Sequence, residues 1–235
     1  MDSAKVRLFC IPFSGGNAYS YYGFKKYLPE HIEFCNLELP GRGKRIFEPL
    51  LLTIKEMTED LYGQIKQKIK GRYFIYGHSL GALLAYTLCR HIEGMGENLP
   101  EVLFVSGQRA PSLIKTDDTH LLPDEAFLNV LREMNGTPEE LLSDESFVKY
   151  FLPVIRADFR TLSDYRHNPS GKLLNVPVEV FTGTDENIPD EEILGWQKET
   201  TAPVNFHKFK GGHFFIFDHI PELCARFESY VTFLK

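Results

Sequence analysis

Residues 77–81 read Gly-His-Ser-Leu-Gly, a Gly-x-Ser-x-Gly arrangement that makes Ser79 a candidate nucleophile. The pattern carries chemistry in one context. A strand must run into the first glycine and a helix must leave after the serine, so that the turn is too sharp for side chains at the flanking positions. Residues 73–76 form an apolar run bounded by Gly71 and Gly77, and residues 80–92 follow helical spacing that ends near Gly94 and Gly96. A serine hydroxyl is a weak nucleophile at neutral pH, so it needs a base within reach and an acid to orient that base. On a strand–turn–helix serine the chain order is serine, acid, histidine. His213, in Lys210-Gly211-Gly212-His213-Phe214-Phe215 just after the last expected strand, is the histidine in that position. His31, His91, His120, His167, His207 and His219 read as surface or packing residues, and His78 as the neighbour of the serine. For the acid, Asp185 and Glu186 sit side by side in the loop 183–187. Asp185 has the shorter, less mobile side chain, but either carboxylate suits the role. Asp190 reads as a helix cap. An oxyanion would find donors at the backbone N–H of Leu80 and at the turn formed by Phe13 and Ser14, where Gly15 and Gly16 allow close approach. Together these groups would transfer an acyl unit through an acyl-serine.

The elements that must position them alternate. Strands are expected at 5–12, 33–39, 73–76, 101–106, 176–182 and 204–209. Helices are expected at 54–69, 80–92 and 191–198, with a last amphipathic helix from about Pro221 to the end. Such alternation predicts an α/β fold with a mostly parallel central sheet flanked by helices. One stretch, 121–165, is helical throughout, within an insertion of about 115–165. An insertion between two strands at the carboxyl end of such a sheet lies where ligands bind, so it reads as a lid. The 235 residues fit a single domain, with no internal repeat.

The quoted residues resemble a known family, the stand-alone type II thioesterases that accompany nonribosomal peptide and polyketide synthases. The resemblance rests on Cys10-Ile11-Pro12-Phe13-Ser14-Gly15-Gly16, Leu39-Pro40-Gly41-Arg42-Gly43 and the serine turn itself. It extends to Leu122-Pro123-Asp124-Glu125, to Phe151-Leu152-Pro153 with Arg156-Ala157-Asp158-Phe159 and Tyr165, and to Gly211-Gly212-His213-Phe214. It implies the α/β-hydrolase fold with a helical lid. It also implies hydrolysis of acyl groups from the phosphopantetheine arm of acyl or peptidyl carrier domains, with no cofactor of the enzyme's own and no metal. In that family the acid stands three residues after the loop glycine, which here is Glu186. Carrier domains are acidic, so Arg42, Lys44, Arg45, Arg109 and Arg156 are candidate contacts, each equally readable as a surface charge.

Composition narrows the remaining classes. With 43% hydrophobic and 25% charged residues the chain has the material for a core, and its formal net charge of −6 with no basic block argues against nucleic acid. The amino-terminal residues lack signal-peptide architecture, and no apolar run approaches the roughly 18 residues of a membrane span. The expectation is a cytoplasmic monomer. Cys10, Cys35, Cys89 and Cys224 form no paired motif and read as small buried residues. A general carboxylesterase or lipase fits the serine turn but not the lid motifs of the resembled family, and two other readings keep the same parts. One is an acyltransferase or release enzyme that passes the acyl group to an amine or alcohol, and the other is a carrier-binding scaffold without catalysis.

Overall fold

The computed structural model describes residues 5–168 and 172–233. In chain order its elements are β1 (Val6–Ile11), β2 (Ile32–Asn36), α1 (Ile54–Ile65), β3 (Tyr73–His78), α2 (Leu80–Gly94), β4 (Val102–Ser106), α3 (Asp124–Met134), α4 (Glu139–Leu142), α5 (Glu145–Ser163), β5 (Val178–Gly183), α6 (Asp190–Leu194), β6 (Val204–Phe209) and α7 (Ile220–Phe233). The strands make one sheet in the order β2-β1-β3-β4-β5-β6, every neighbouring pair parallel.

The parallel arrangement follows from which residues are apolar. In β3, β4 and β5 every residue is buried, as strands covered on both faces require. Alternate residues feed two cores. Phe9, Ile11, Tyr73, Ile75, Leu103 and Val105 pack with Met57, Leu61 and Ile65 of α1 and Leu84, Leu88 and Ile92 of α2. On the other face Leu8, Cys10, Phe74, Tyr76, Val102 and Phe104 pack with Leu223, Cys224 and Phe227 of α7.

The strand order reverses between β1 and β3, and at such a switch point the loops leaving the two strands diverge and open a crevice at their carboxyl ends. The serine turn follows β3 and the Phe13-Ser14 turn follows β1, so both candidate loops border that crevice. Over it lie α3, α4 and α5, which enter between β4 and β5 and carry an apolar cluster of their own, including Phe127, Leu131, Leu142, Leu152 and Ile155. These helices fall within the insertion expected at about 115–165, the first beginning at Asp124 after a 3-10 turn at Thr119–Leu121.

Three expected elements differ by more than two residues. The expected strand 33–39 ends at Asn36: the Leu37 N–H makes the last bond to the Cys10 carbonyl, and the Glu38 backbone then bonds the side chains of Gln64 and Arg45 instead of a strand. The expected helix 191–198 divides into α6 and a 3-10 turn at Gly195–Lys198, with Trp196 buried at the junction. The helix expected to reach residue 69 ends at Ile65. Residues 1–4 and the last two residues of the expected terminal helix lie outside the described residues.

Candidate active site

Ser79 sits between β3 and α2 with φ 55° and ψ −122°, a backbone conformation that non-glycine residues rarely adopt. The two glycines make it possible. A Cβ at Gly77 would collide with the Gly81 carbonyl, and one at Gly81 would collide with the Ile11 and Pro12 carbonyls. The strained turn is tied down by the Ser79 N–H, which donates to the Ser106 carbonyl at 2.8 Å. The serine itself is 8% exposed.

His213 is carried by the loop after β6. Its Nδ1–H donates to Glu186 Oε1 at 2.8 Å, and since a carboxylate only accepts, that bond leaves Nε2 as the acceptor nitrogen. Nε2 is buried with no hydrogen-bond partner among the described residues. The other Glu186 oxygen accepts from the Gly183 N–H at 2.7 Å, and the side chain is 3% exposed. Asp185 is placed otherwise. Its backbone N–H donates to the Gly211 carbonyl at 2.9 Å, and its exposed carboxylate accepts from Thr184 Oγ1 at 3.0 Å. Asp190 begins α6 and pairs with Lys208 at 2.7 Å. Of the three acids, Glu186 is the one in contact with His213.

The turn after β1 has four residues to consider. The Gly16 N–H donates to the Phe13 carbonyl at 2.8 Å, and the Gly15 N–H donates to Asp158 Oδ2 at 2.8 Å. That leaves the N–H groups of Phe13 and Ser14 as the turn's remaining donors, beside Leu80, whose N–H opens α2 where the first turn has no intrahelical acceptor.

Two spaces meet here. An apolar cavity of about 180 Å³ runs under the insertion, walled by Leu131, Phe147, Phe151, Ile155, Phe159 and Phe214 and reaching Ser14, Ser79 and His213. A wider, more polar groove of about 500 Å³ reaches Ser14, Ser79 and His213 from the other side, between Gln108, Arg109, Lys115, Glu133, Asn135 and Asn187.

Some contributors were not legible as such. His78, fully buried, places its ring 4.8 Å from that of His213 and bonds through Nδ1 to Ser106 Oγ at 2.9 Å, which in turn bonds the Tyr76 hydroxyl at 2.9 Å. Burial, reinforced by His213, holds the His78 pKa well below its usual value, so it is neutral. Asp158 pairs in both directions with Arg42, at 2.6 and 2.9 Å, out of reach of solvent. A charged residue on the apolar stripe of α5 was the available signal. The pairing also removes Arg42 from the candidate carrier contacts. Arg45 is committed to Glu48 and Asp60, Arg109 to Glu192, and Arg156 to Asp124 and the carbonyls of His120 and Leu122. Lys44 lies over the Tyr19 ring. Among the described residues no group of His, Cys, Asp and Glu is placed to hold a metal ion, and no helix is long and apolar enough to cross a membrane.

A parallel sheet with a serine turn after its central strand, and a histidine loop after its edge strand, defines an α/β-hydrolase. The chain matches the thioesterase domain family over residues 6–230 and belongs to it, among the type II thioesterases of nonribosomal peptide and polyketide pathways. It is 35% identical over 219 residues to the gramicidin S biosynthesis protein GrsT of Aneurinibacillus migulanus, covering 92% of this chain and 85% of that one. Among solved structures, ClbQ from the colibactin pathway superimposes with a TM-score of 0.92 at 33% identity, covering 98% of each chain. The type II thioesterase BorB of the borrelidin cluster gives 0.88 at 32%, covering 96% of this chain and 92% of that one. The protein is thus an enzyme acting on thioesters.

Proposed function

We propose that this thioesterase strips acyl groups from the phosphopantetheine arm of carrier domains through an acyl-enzyme on Ser79, with His213 as general base and Glu186 as the acid of the triad. Ser79 Oγ attacks the thioester carbonyl while His213 Nε2 takes its proton. The oxyanion that forms accepts from Leu80 N–H and from Phe13 or Ser14 N–H. As the C–S bond breaks, His213 returns the proton to the leaving thiolate, then activates a water that releases the acid and frees Ser79. Glu186 holds the tautomer that leaves Nε2 free and stabilises the imidazolium.

The observation that carries this reading is the convergence at Ser79. A strained serine turn, a histidine fixed by a desolvated carboxylate and two spaces, one with no charged side chain in its wall and one with several, reach the same point. The apolar cavity suits the acyl group and the polar groove suits the pantetheine arm, with α3–α5 acting as a lid on one catalytic domain. On this reading the enzyme works in the cytoplasm, as a monomer and without a cofactor of its own. The test is to incubate the protein and a Ser79→Ala variant with an acylated carrier domain and follow the acyl group by intact mass. Wild type is expected to remove it and the variant to leave it in place. Equal loss with both, or no loss while a serine-directed phosphonate still labels Ser79, overturns the assignment of nucleophile or of substrate respectively.

A further inference from the structure

The segment 13–20 hangs between two buried carboxylates that approach it from different elements. On one side Glu38, just past β2, accepts from the Ala18 N–H at 3.0 Å and from the Lys44 N–H at 2.8 Å. On the other side Asp158 reaches down from α5, and Oδ2 accepts both the Gly15 N–H at 2.8 Å and Arg42 Nη1 at 2.6 Å. Asp158 is fully buried and Arg42 nearly so. Phe151, Ile155 and Asp158 stand at i, i+4 and i+7 on α5, hence on one face. That face lies on Gly15: a Cβ built there would fall 2.7 Å from the Phe151 ring and 3.1 Å from Ile155 Cδ1. One helix face therefore walls the acyl cavity and grips the turn beside it.

A buried ion pair is poor at stabilising a fold, since an apolar pair of similar volume does as well or better. Asp158 does something that an apolar residue cannot do, which is to accept a backbone N–H. The Gly15 N–H belongs to the Ser14–Gly15 peptide, and the neighbouring Phe13–Ser14 peptide is fixed by the Gly16 N–H on the Phe13 carbonyl. Because each peptide is planar, the two bonds orient the Ser14 N–H directly and anchor the turn whose first N–H is that of Phe13.

We infer that Asp158 is a positioning residue for this turn, with Arg42 as its counter-ion, so that docking of α5 sets the oxyanion donors and closes the acyl cavity in one event. The inference rests on the proposed role of the turn as an oxyanion donor. Donors displaced by a fraction of an ångström weaken transition-state binding more than substrate binding.

The experiment compares wild type with Asp158→Asn and with the double variant Asp158→Leu/Arg42→Met, which fills the same space without charge or acceptor. Each is assayed on a soluble acyl thioester, titrated with an acyl trifluoromethyl ketone that forms an anionic hemiketal on Ser79, and melted. The double variant, which has no acceptor for the Gly15 N–H, is expected to lose kcat by on the order of 10–100-fold, below the loss for deleting a whole oxyanion donor, with KM within about threefold. Asp158→Asn, whose amide oxygen can still accept that N–H, is expected to lose less. Affinity for the ketone should fall in parallel with kcat, and the double variant should recover the thermal stability of wild type. Recovery of kcat along with stability in the double variant overturns the inference, as does a loss of kcat with no loss of ketone affinity. A wild type that the ketone does not inhibit, or a Ser79→Ala variant as active as wild type, instead removes the functional reading beneath it.

Discussion

Both oxygens of Glu186 are committed, one to His213 and one to the Gly183 N–H, whereas the Asp185 carboxylate faces solvent beside Thr184. The difference of one position in the chain is a difference of direction in space, because the Asp185 N–H is tied back to the Gly211 carbonyl. Glu186→Gln removes the charge opposite the imidazolium and is expected to lower kcat by on the order of 10³–10⁴-fold. Asp185→Asn should stay within about twofold, both measured on a soluble thioester; the reverse ranking would hand the role to Asp185. His78 supports a second prediction at this scale. It packs against His213, near Glu186, and bonds Ser106, and its folded pKa lies well below 6.5. The unfolded chain therefore takes up a proton near pH 6.5 that the folded chain refuses, and stability contributed by a neutral His78 is complete above that pH and lost as pH falls below it. The slope is about 1.4 kcal/mol per pH unit for one such group. Urea midpoints of wild type at pH 7.5 and 5.5 should therefore differ more than those of His78→Gln. Equal differences would mean that the buried ring does not control the slope.

At the scale of elements, α5 does more than cover the site. Phe147 and Phe151 stack at 4.9 Å and wall the acyl cavity. A benzene ring fits a cavity of about 150 Å³, so about 180 Å³ holds an acyl group of about six to eight carbon atoms. Each further CH₂ buried contributes about 0.8 kcal/mol, so kcat/KM should rise about fourfold per carbon until the cavity is full and then fall. Phe151→Ala should move that maximum to longer chains. An unchanged profile would place the acyl chain in the polar groove. The strands, the serine turn and the helical insertion were legible because they are periodic or local: apolar runs ended by glycines, helical spacing, a Gly-x-Ser-x-Gly motif. Other features depend on residues that meet only in the folded chain. Arg42 and Asp158 are 116 positions apart, so that although Asp158 stands on the apolar stripe of α5, nothing local joins it to Arg42, which reads alone as a surface charge. Which of Asp185 and Glu186 meets His213 depends on the direction each carboxylate takes out of the loop, which composition does not carry, and the family spacing of three residues after Gly183 pointed to Glu186.

For the whole molecule, the formal charge of −6 bears on how it meets a partner. Four arginines that read as contacts for an acidic carrier are instead paired with Asp158, with Glu48 and Asp60, with Glu192 and with Asp124. Their charge is therefore largely cancelled at short range, and the long-range field of the protein is that of its net negative charge. An acidic carrier domain then approaches against mild repulsion, which salt screens over a distance of about 10 Å at 0.1 M. Raising ionic strength from 20 to 200 mM is expected to increase kcat/KM for a carrier-bound acyl group while leaving a small neutral thioester unaffected. The small substrate reports the chemistry at Ser79 and the carrier-bound one reports encounter, so their ratio isolates the electrostatic contribution. A fall in that ratio with salt would require a steering basic patch, and exposed lysines such as Lys44, rather than the paired arginines, would be where to seek it. A rise would mean that recognition is short-range, made by shape and apolar contact once the arm has entered the groove.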